Sequence, residues 1–276
     1  MALFSIVTTC KGRLDDLKNT IGRMVEQSDC ELIVVDYNCP QKTAEYVRKN
    51  YPTAKIVKDD SAADFNQSRA RNMGAEVASG EILVFLDADV LISKSFITQL
   101  KNNLVPRLLG GFPIVNAKWR GLAGSCVVER KAWKEALGYD EVLRGYGGDD
   151  RDFYHRLSLL GCKKIKFPLD LIERIIETPV DKKVQYYDEK DMHISKAVNT
   201  AYRQLKNLLL LVSGKVEIDI STRKHVRELV SSGYYRAIKN GDRECSVVVE
   251  IPHDGSFGEI PGHKLSRLVG VKVKLS

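Results

Sequence analysis

The stretch Gly80-Glu81-Ile82-Leu83-Val84-Phe85-Leu86-Asp87-Ala88-Asp89 decides how this chain is read. An unbroken apolar run, 82–86, ends at two carboxylates one residue apart. Such a run is a strand covered on both faces, as in a parallel sheet. The carboxyl end of a strand of that kind is where α/β folds place their ligands. Two acids there repel each other and are costly to desolvate unless something positive lies between them. A divalent cation held by oxygen ligands and bridging to phosphate meets that need. A plain Asp-containing turn is the alternative that the segment by itself leaves open.

Outward from this strand, the first ninety residues alternate between strand and helix signals. Residues 3–8 form a β-rich run followed by the polar turn Thr9-Cys10-Lys11-Gly12-Arg13. Apolar residues at 14, 17, 21, 24 and 25 give helical spacing over 14–27. A second strand at 31–35 ends at Asp36, and a short helix at 43–50 is stopped by Pro52. A third strand is expected at 54–57 and a helix at 66–78, closed by Ser79-Gly80. The fold class is α/β, with right-handed crossovers and a mostly parallel sheet flanked by helices. Beyond residue 90 helices are expected at 96–104, 130–137, 149–160 and 190–212, with a Gly-rich stretch over 110–128. The end of the chain combines a helix at 223–231 with β-rich runs at 247–251 and 269–275, which suggests a small C-terminal α+β extension.

Composition excludes little. With 276 residues, 43% of them hydrophobic, the chain can bury a substantial core. Its longest apolar runs, such as 208–212, are far too short to span a bilayer. Residues 1–9 lack the pattern of a signal peptide, and a cytoplasmic location is the expectation. The cysteines at 10, 30, 39, 126, 162 and 245 contain no CxxC pair, against a zinc knuckle or disulfide framework. A formal charge of +7 suits an anionic substrate, an acidic membrane surface or nucleic acid equally, and equally a solvated basic surface.

The acid pair has companions. Asp36 ends a strand parallel to 82–86, so it belongs to the same sheet edge, either as an acceptor for a nucleotide or as the start of the Tyr37-Asn38-Cys39-Pro40 turn. Arg69 and Arg71, two apart on the preceding helix, point to different faces. A second informative run is Leu143-Arg144-Gly145-Tyr146-Gly147-Gly148-Asp149-Asp150-Arg151-Asp152. Acids in a first helical turn complement the helix dipole, so a cap is one role for them. A ring and three glycines directly before paired acids also suit a sugar, with one carboxylate as general base.

Ser5-Ile6-Val7-Thr8-Thr9, Val34-Val35-Asp36, Arg69-Ala70-Arg71-Asn72 and Asp87-Ala88-Asp89 together resemble glycosyltransferases of the GT-A fold, family 2 type. The block 124–157, with Gly138-Tyr139-Asp140, Gly145-Tyr146-Gly147-Gly148-Asp149-Asp150, Asp152 and Arg156-Leu157, resembles the C-terminal acceptor motif of β-1,4-galactosyltransferases and chondroitin-synthase-like enzymes. The resemblance covers roughly residues 1–200. It implies a Rossmann-like GT-A domain at 1–212, with a nucleotide-sugar half at 1–105 and an acceptor half at 106–212, and an appended subdomain at 213–276 of no assigned role. Thr8, Thr9, Arg13, Asp36 and Arg71 would line the nucleotide pocket. Asp87 would contact ribose or the metal's water shell, and Asp89 would ligate Mn²⁺ or Mg²⁺. Asp150 would be the catalytic base, with Trp119, Gly124, Tyr146, Gly147, Gly148 and Asp149 around the sugars. Tyr146 stands where the family usually has Trp, and Arg151 where galactosyltransferases carry an acid, so a different acceptor pocket is implied. Family members often complete the metal site with a downstream His. His193 is preferred here by its distance from the acid motif over His155, His225, His253 and His263.

The expected activity is metal-dependent, inverting transfer of a hexose from a nucleotide sugar, UDP-linked by preference, to a hydroxyl on a glycan. A hydroxylated base in DNA is the other acceptor kept in view, as in phage-type DNA modification. A nucleotidyltransferase shares the sheet, acids and metal, but here Thr8-Thr9-Cys10-Lys11-Gly12-Arg13 is only a faint phosphate loop. A nucleic-acid-binding module is the non-enzymatic alternative. No Lys/Arg stripe interleaved with aromatics supports it.

Overall fold

The computed structural model describes residues 3–61, 63–103, 111–114, 122–166, 169–213, 217–252 and 266–275. The chain divides into two compact units: residues 1–141 with 149–190, and residues 142–148 with 191–276.

The first unit is built on a seven-stranded sheet, ordered β3-β2-β1-β4-β7-β6-β8. Its strands are β1 (Phe4–Cys10), β2 (Cys30–Asp36), β3 (Lys55–Lys58), β4 (Ile82–Phe85), β6 (Gly111–Ile114), β7 (Cys126–Glu129) and β8 (Lys163–Lys166). β3, β2, β1 and β4 run parallel, as the alternation of elements predicts. Side chains alternate across the sheet and both faces are covered. Ile6, Val34 and Val84 pack on one side with α1 (Leu14–Val25) and α2 (Thr43–Asn50). Val7, Val35 and Phe85 pack on the other with α3 (Gln67–Glu76), α5 (Arg130–Glu135) and α6 (Asp149–Leu159). Burial on both faces is why residues 82–86 carry no polar interruption. Among the described residues this unit also has α4 (Phe96–Asn103) and α7 (Val180–Val184).

β7 joins antiparallel to β4, with Phe85 opposite Cys126. The reversal delivers the residues before β7, Gly124 and Ser125, to the same edge at which β4 releases Asp87. Immediately afterwards β5 (Val90–Ile92) pairs antiparallel with β9 (Ile172–Ile175), a pairing that no sequence signal announced. Their partnership pins the acid turn between two strands.

Two local expectations change. Helix α3 ends at Glu76 with Val77 still right-handed, so Gly80 is no helix cap. Gly80 is needed for close approach instead. A Cβ there would lie 2.7 Å from the Phe4 carbonyl carbon and 2.9 Å from the Ser5 nitrogen. The helix expected at 223–231 runs twice that far, as α9 (Ile220–Asn240). Asp219 starts it by accepting from the Thr222 amide, and Gly241 ends it with φ +72°. Ser231, Ser232 and Gly233 lie mid-helix. Gly233 there faces the hairpin, where a Cβ would sit 3.1 Å from Val247 and 3.2 Å from Cys245.

The second unit contains α8 (Met192–Ser213), α9 and the antiparallel hairpin β10 (Glu244–Pro252) with β11 (Ser266–Lys274). Tyr202, Leu205, Leu209, Val226, Val230, Val247 and Val269 share its core, joined by Val142 and Leu143. Helix α8, on the amino side of the boundary expected at 212/213, therefore packs with the C-terminal elements. Among the described residues no helix is long and apolar enough to cross a membrane.

Gly74 lets α3 lie flat on β1 and β2, since a Cβ there would collide with Val7 Cγ1 and come 3.0 Å from Val35 Cγ2. Gly74→Ala is expected to cost about 1–3 kcal/mol by overpacking, read from the urea midpoint followed by circular dichroism. An unchanged midpoint would contradict this close fit.

Candidate active site

Helix α3 opens with the Asn66 side chain accepting from the Arg69 amide, and it buries an unusually polar face. Arg71 lies on that face at 3% exposure. Its Nη2 donates to Asp87 Oδ1 at 2.9 Å, and its Nη1 donates to Asp149 Oδ2 and Asp150 Oδ1, both at 2.8 Å. The guanidinium also lies 5.0 Å from the centre of the Tyr139 ring. One cation thus holds three carboxylates from two distant stretches of chain. Gly124 makes room for this arrangement, because a Cβ there would clash with the guanidinium and lie 2.6 Å from Asp87 Oδ2. Arg69, two residues earlier, turns away and donates from Nε to Asp59 Oδ2 at 3.2 Å.

The charges are unequally compensated. Burial, the Asp149 charge and the Asp87 charge push the Asp150 carboxyl up to about 8, against the pull of Arg71. Burial and Asp87 likewise push Asp89 up to about 6, against Arg13. Asp89 is gripped from one side only. Arg13 Nη2 donates to Asp89 Oδ2 at 2.8 Å and to Thr178 Oγ1 at 2.6 Å, while Arg13 Nε bonds Asp16. The Asp89 carbonyl accepts from the Ile176 amide at 2.9 Å, which fixes the turn. Asp89 Oδ1 is buried with no hydrogen-bond partner among the described residues. A buried, unsatisfied carboxylate oxygen beside a second acid fits an oxygen-seeking divalent cation. Among the described residues no cluster of three or more His, Cys, Asp or Glu stands ready around it.

Thr8 and Thr9, at the end of β1, are buried, and Thr8 Oγ1 has no partner among the described residues. Asp36 is committed locally: Oδ1 accepts from the Cys39 amide and Oδ2 from the Ala44 amide, each at 2.7 Å. Of its two roles, the turn is the one these bonds serve.

Residues 5–106 match the model of glycosyl transferase family 2. Residues 112–183 match the model described as the N-terminal domain of galactosyltransferase. These two matches, with the fold, support a glycosyltransferase of the GT-A fold. No curated protein sequence matches it. Solved structures do. S. aureus TarS 1-349 in complex with UDP-GlcNAc superposes with a TM-score of 0.58 at 12% identity, over 87% of this chain and 73% of that one. The mannosyltransferase PcManGT from Pyrobaculum calidifontis, in complex with GDP-Man and Mn²⁺, gives 0.55 at 14% identity, over 86% and 75%. The nucleotidyltransferase and the silent binding module give way to this assignment.

In the glycosyltransferase, the loop directly preceding Asp149 belongs to the second unit. Gly145, Gly147 and Gly148 all take positive φ, so the backbone there turns in a way that side chains resist. Asn199 Nδ2 holds that loop by donating to the Arg144 and Gly147 carbonyls at 2.7 Å. The Tyr146 amide donates to Ser195 Oγ at 2.7 Å, and Lys196 lies 5.2 Å from the centre of the Tyr146 ring. His193 stands exposed at the start of α8, its amide donating to Asp191 Oδ1 at 2.7 Å. Trp119 lies outside the described residues.

Sequence reasoning missed Gln67, which donates to Asp87 Oδ1 at 3.2 Å and accepts from the Tyr187 hydroxyl at 3.0 Å. It also missed the ring cluster of Tyr37, Phe65 and Tyr187, with centroid spacings of 5.7 and 5.4 Å. Gln67 sits one turn before Arg71, and that spacing was a usable signal. Tyr187 comes from far along the chain, and nothing local marks it.

Replacing Arg71 by Met would leave Asp87, Asp149 and Asp150 without their shared cation. Thermal unfolding should report a loss of about 3–5 kcal/mol, as for any buried ion network deprived of one partner. A loss within experimental error would mean that the three acids do not depend on Arg71.

Proposed function

We propose that this glycosyltransferase moves a hexose from a UDP-sugar to a glycan hydroxyl with inversion, using a divalent cation held by Asp89 and Asp150 as general base. The observation that carries this is the shared grip of Arg71, which joins the strand-end Asp87 to the Asp149–Asp150 pair. A donor-side carboxylate and an acceptor-side carboxylate meet on one guanidinium.

When bound, Mn²⁺ or Mg²⁺ supplies positive charge to the diphosphate. Asp89 Oδ1, without a partner among the described residues, is the atom offered to that cation, while Arg13 orients the carboxylate from its other oxygen. His193 is offered as a further ligand by its position after the acid motif. Thr8 and Thr9 line the nucleotide side, with Asp36 shaping the turn beside them. Tyr146, Gly147 and Gly148 are offered as sugar and acceptor contacts by the glycine motif they form, and Trp119, outside the described residues, by the family resemblance alone.

Asp150 takes the proton of the attacking hydroxyl as that oxygen bonds to the anomeric carbon, and the nucleoside diphosphate departs from the opposite face. One displacement requires no second carboxylate nucleophile. Asp150 is useful because its surroundings raise it: a carboxyl held near 8 is a far better base than one of reference pKa about 4. Burial, then Asp149 and Asp87, supply that push, and Arg71 limits it.

A hydroxylated base in DNA is the second acceptor class. It is favoured by the basic side chains exposed along α9, including Lys224, Arg236 and Lys239.

Four results are expected. Asp150→Asn should lose transfer by about 10³-fold or more while retaining UDP binding, and near-parental turnover would refute the base assignment. Asp89→Ala should abolish the Mn²⁺-dependent part of UDP binding in calorimetry, whereas unchanged titrations would place the cation elsewhere. Asp150 acts only when ionised, so kcat/KM should climb with pH towards a limb near 8. Arg71→Gln removes the opposing cation and should shift that limb upward. A limb unmoved by this change would contradict the coupling.

A further inference from the structure

The carboxyl ends of β1 and β2 carry a feature that sugar transfer does not use. Cys10 ends β1, and Cys39 lies three residues past the end of β2. Their sulfurs stand 4.0 Å apart, although 29 residues separate them in sequence. Both thiols are free and buried; Cys10 is sealed at 0% exposure, while Cys39 keeps 7%. Donors surround the pair. The Gly12 amide donates to Cys39 Sγ at 3.2 Å, and Thr43 Oγ1, in the first turn of α2, donates to Cys10 Sγ at 3.1 Å.

These contacts divide the two sulfurs by role. The hydrogen bond from Cys10 does most to stabilise a thiolate on Cys39, helped by Thr43 and the Gly12 and Gln41 amides, and holds Cys39 down at about 5. The same bond, with burial, pushes Cys10 well up. Such polarity is characteristic of a reactive dithiol, in which one sulfur attacks and its neighbour resolves.

We propose that Cys10 and Cys39 form a redox modification site, closing to an intramolecular disulfide under a hydroperoxide and reopening with a dithiol reductant. In the first step the Cys39 thiolate attacks a peroxide oxygen; the O–O bond breaks, and Cys39 becomes a sulfenic acid as hydroxide leaves. In the second, Cys10 sulfur attacks the Cys39 sulfur and gives up its proton, and the sulfenic oxygen departs as water. One peroxide is reduced and two thiols are oxidised. The sulfurs need close only from 4.0 Å to the disulfide length of about 2 Å. That closure takes the Cys39 sulfur off the Gly12 amide. Gly12 has no slack, since a Cβ there would already collide with the Tyr186 ring. The next residue is Arg13, which grips Asp89. Oxidation therefore disturbs the donor side of the site, a consequence that rests on the functional proposal above.

The test uses the full chain in a Cys30→Ser/Cys162→Ser background, which removes the two partly exposed competing thiols. After hydrogen peroxide treatment the intact mass should fall by about 2 Da, and the peptides carrying Cys10 and Cys39 should run linked until a dithiol is added. Cys39→Ser should abolish the loss. Because that variant can misfold, peptide mapping of the parent background provides the second reading. A mass gain at Cys39 without linkage, a link to a different cysteine, or an unchanged thiol titre would each overturn the proposal. Mass and linkage do not depend on sugar transfer, so they separate failure of this inference from failure of the functional reading.

Discussion

A single buried guanidinium sets the terms for the rest of the site. Arg71 is the only cation bonded to Asp87, Asp149 and Asp150 among the described ion pairs, and it cannot be moved without exposing all three acids to one another in a poorly solvated setting. Its position in turn depends on α3 lying close against the sheet. Gly74 permits that approach, Asn72 Nδ2 bonds the Tyr139 carbonyl, and Tyr139 presents its ring to the guanidinium. Packing, hydrogen bonding and charge therefore serve the same geometry.

The compensation is deliberately incomplete in the chemical sense. Asp150 is buried and three carboxylates share one positive group, so Asp150 stays high. Asp89 has its own arginine on one oxygen and nothing among the described residues on the other. A fully neutralised cluster would be more stable and chemically inert. An excess of negative charge at the strand end is what the proposed cation and the proposed base would both draw on.

The antiparallel β7 explains how residues from the second half of the chain reach the sheet edge that carries Asp87. Because Cys126 lies opposite Phe85, the turn holding Gly124 is brought against Asp87 and Arg71. Parallel continuation would have placed it at the far end of the sheet. The glycine motif before Asp149 works through backbone shape, with three positive-φ residues held by Asn199 and Ser195 from α8.

The parallel half of the sheet was legible in the residues themselves. Apolar runs that end in Asp36 and Asp87, separated by helical spacing, admit few other arrangements, because strands covered on both faces have no place for a polar residue until they emerge. The acid pairs 87/89 and 149/150 were legible for the same reason: paired carboxylates in first turns and at strand ends are costly without a counter-charge. Local sequence could not say which arginine supplies it. Arg69 and Arg71 are chemically alike, and only the packing of α3 turns one inward to three acids and the other outward to Asp59. Nor could it reveal that Asp36 spends both oxygens on backbone amides, that α9 continues through Gly233, or that Cys10 and Cys39 are neighbours. Each of these depends on what stands opposite a residue across a sheet or helix interface, and such long-range contacts leave no periodic trace in the chain.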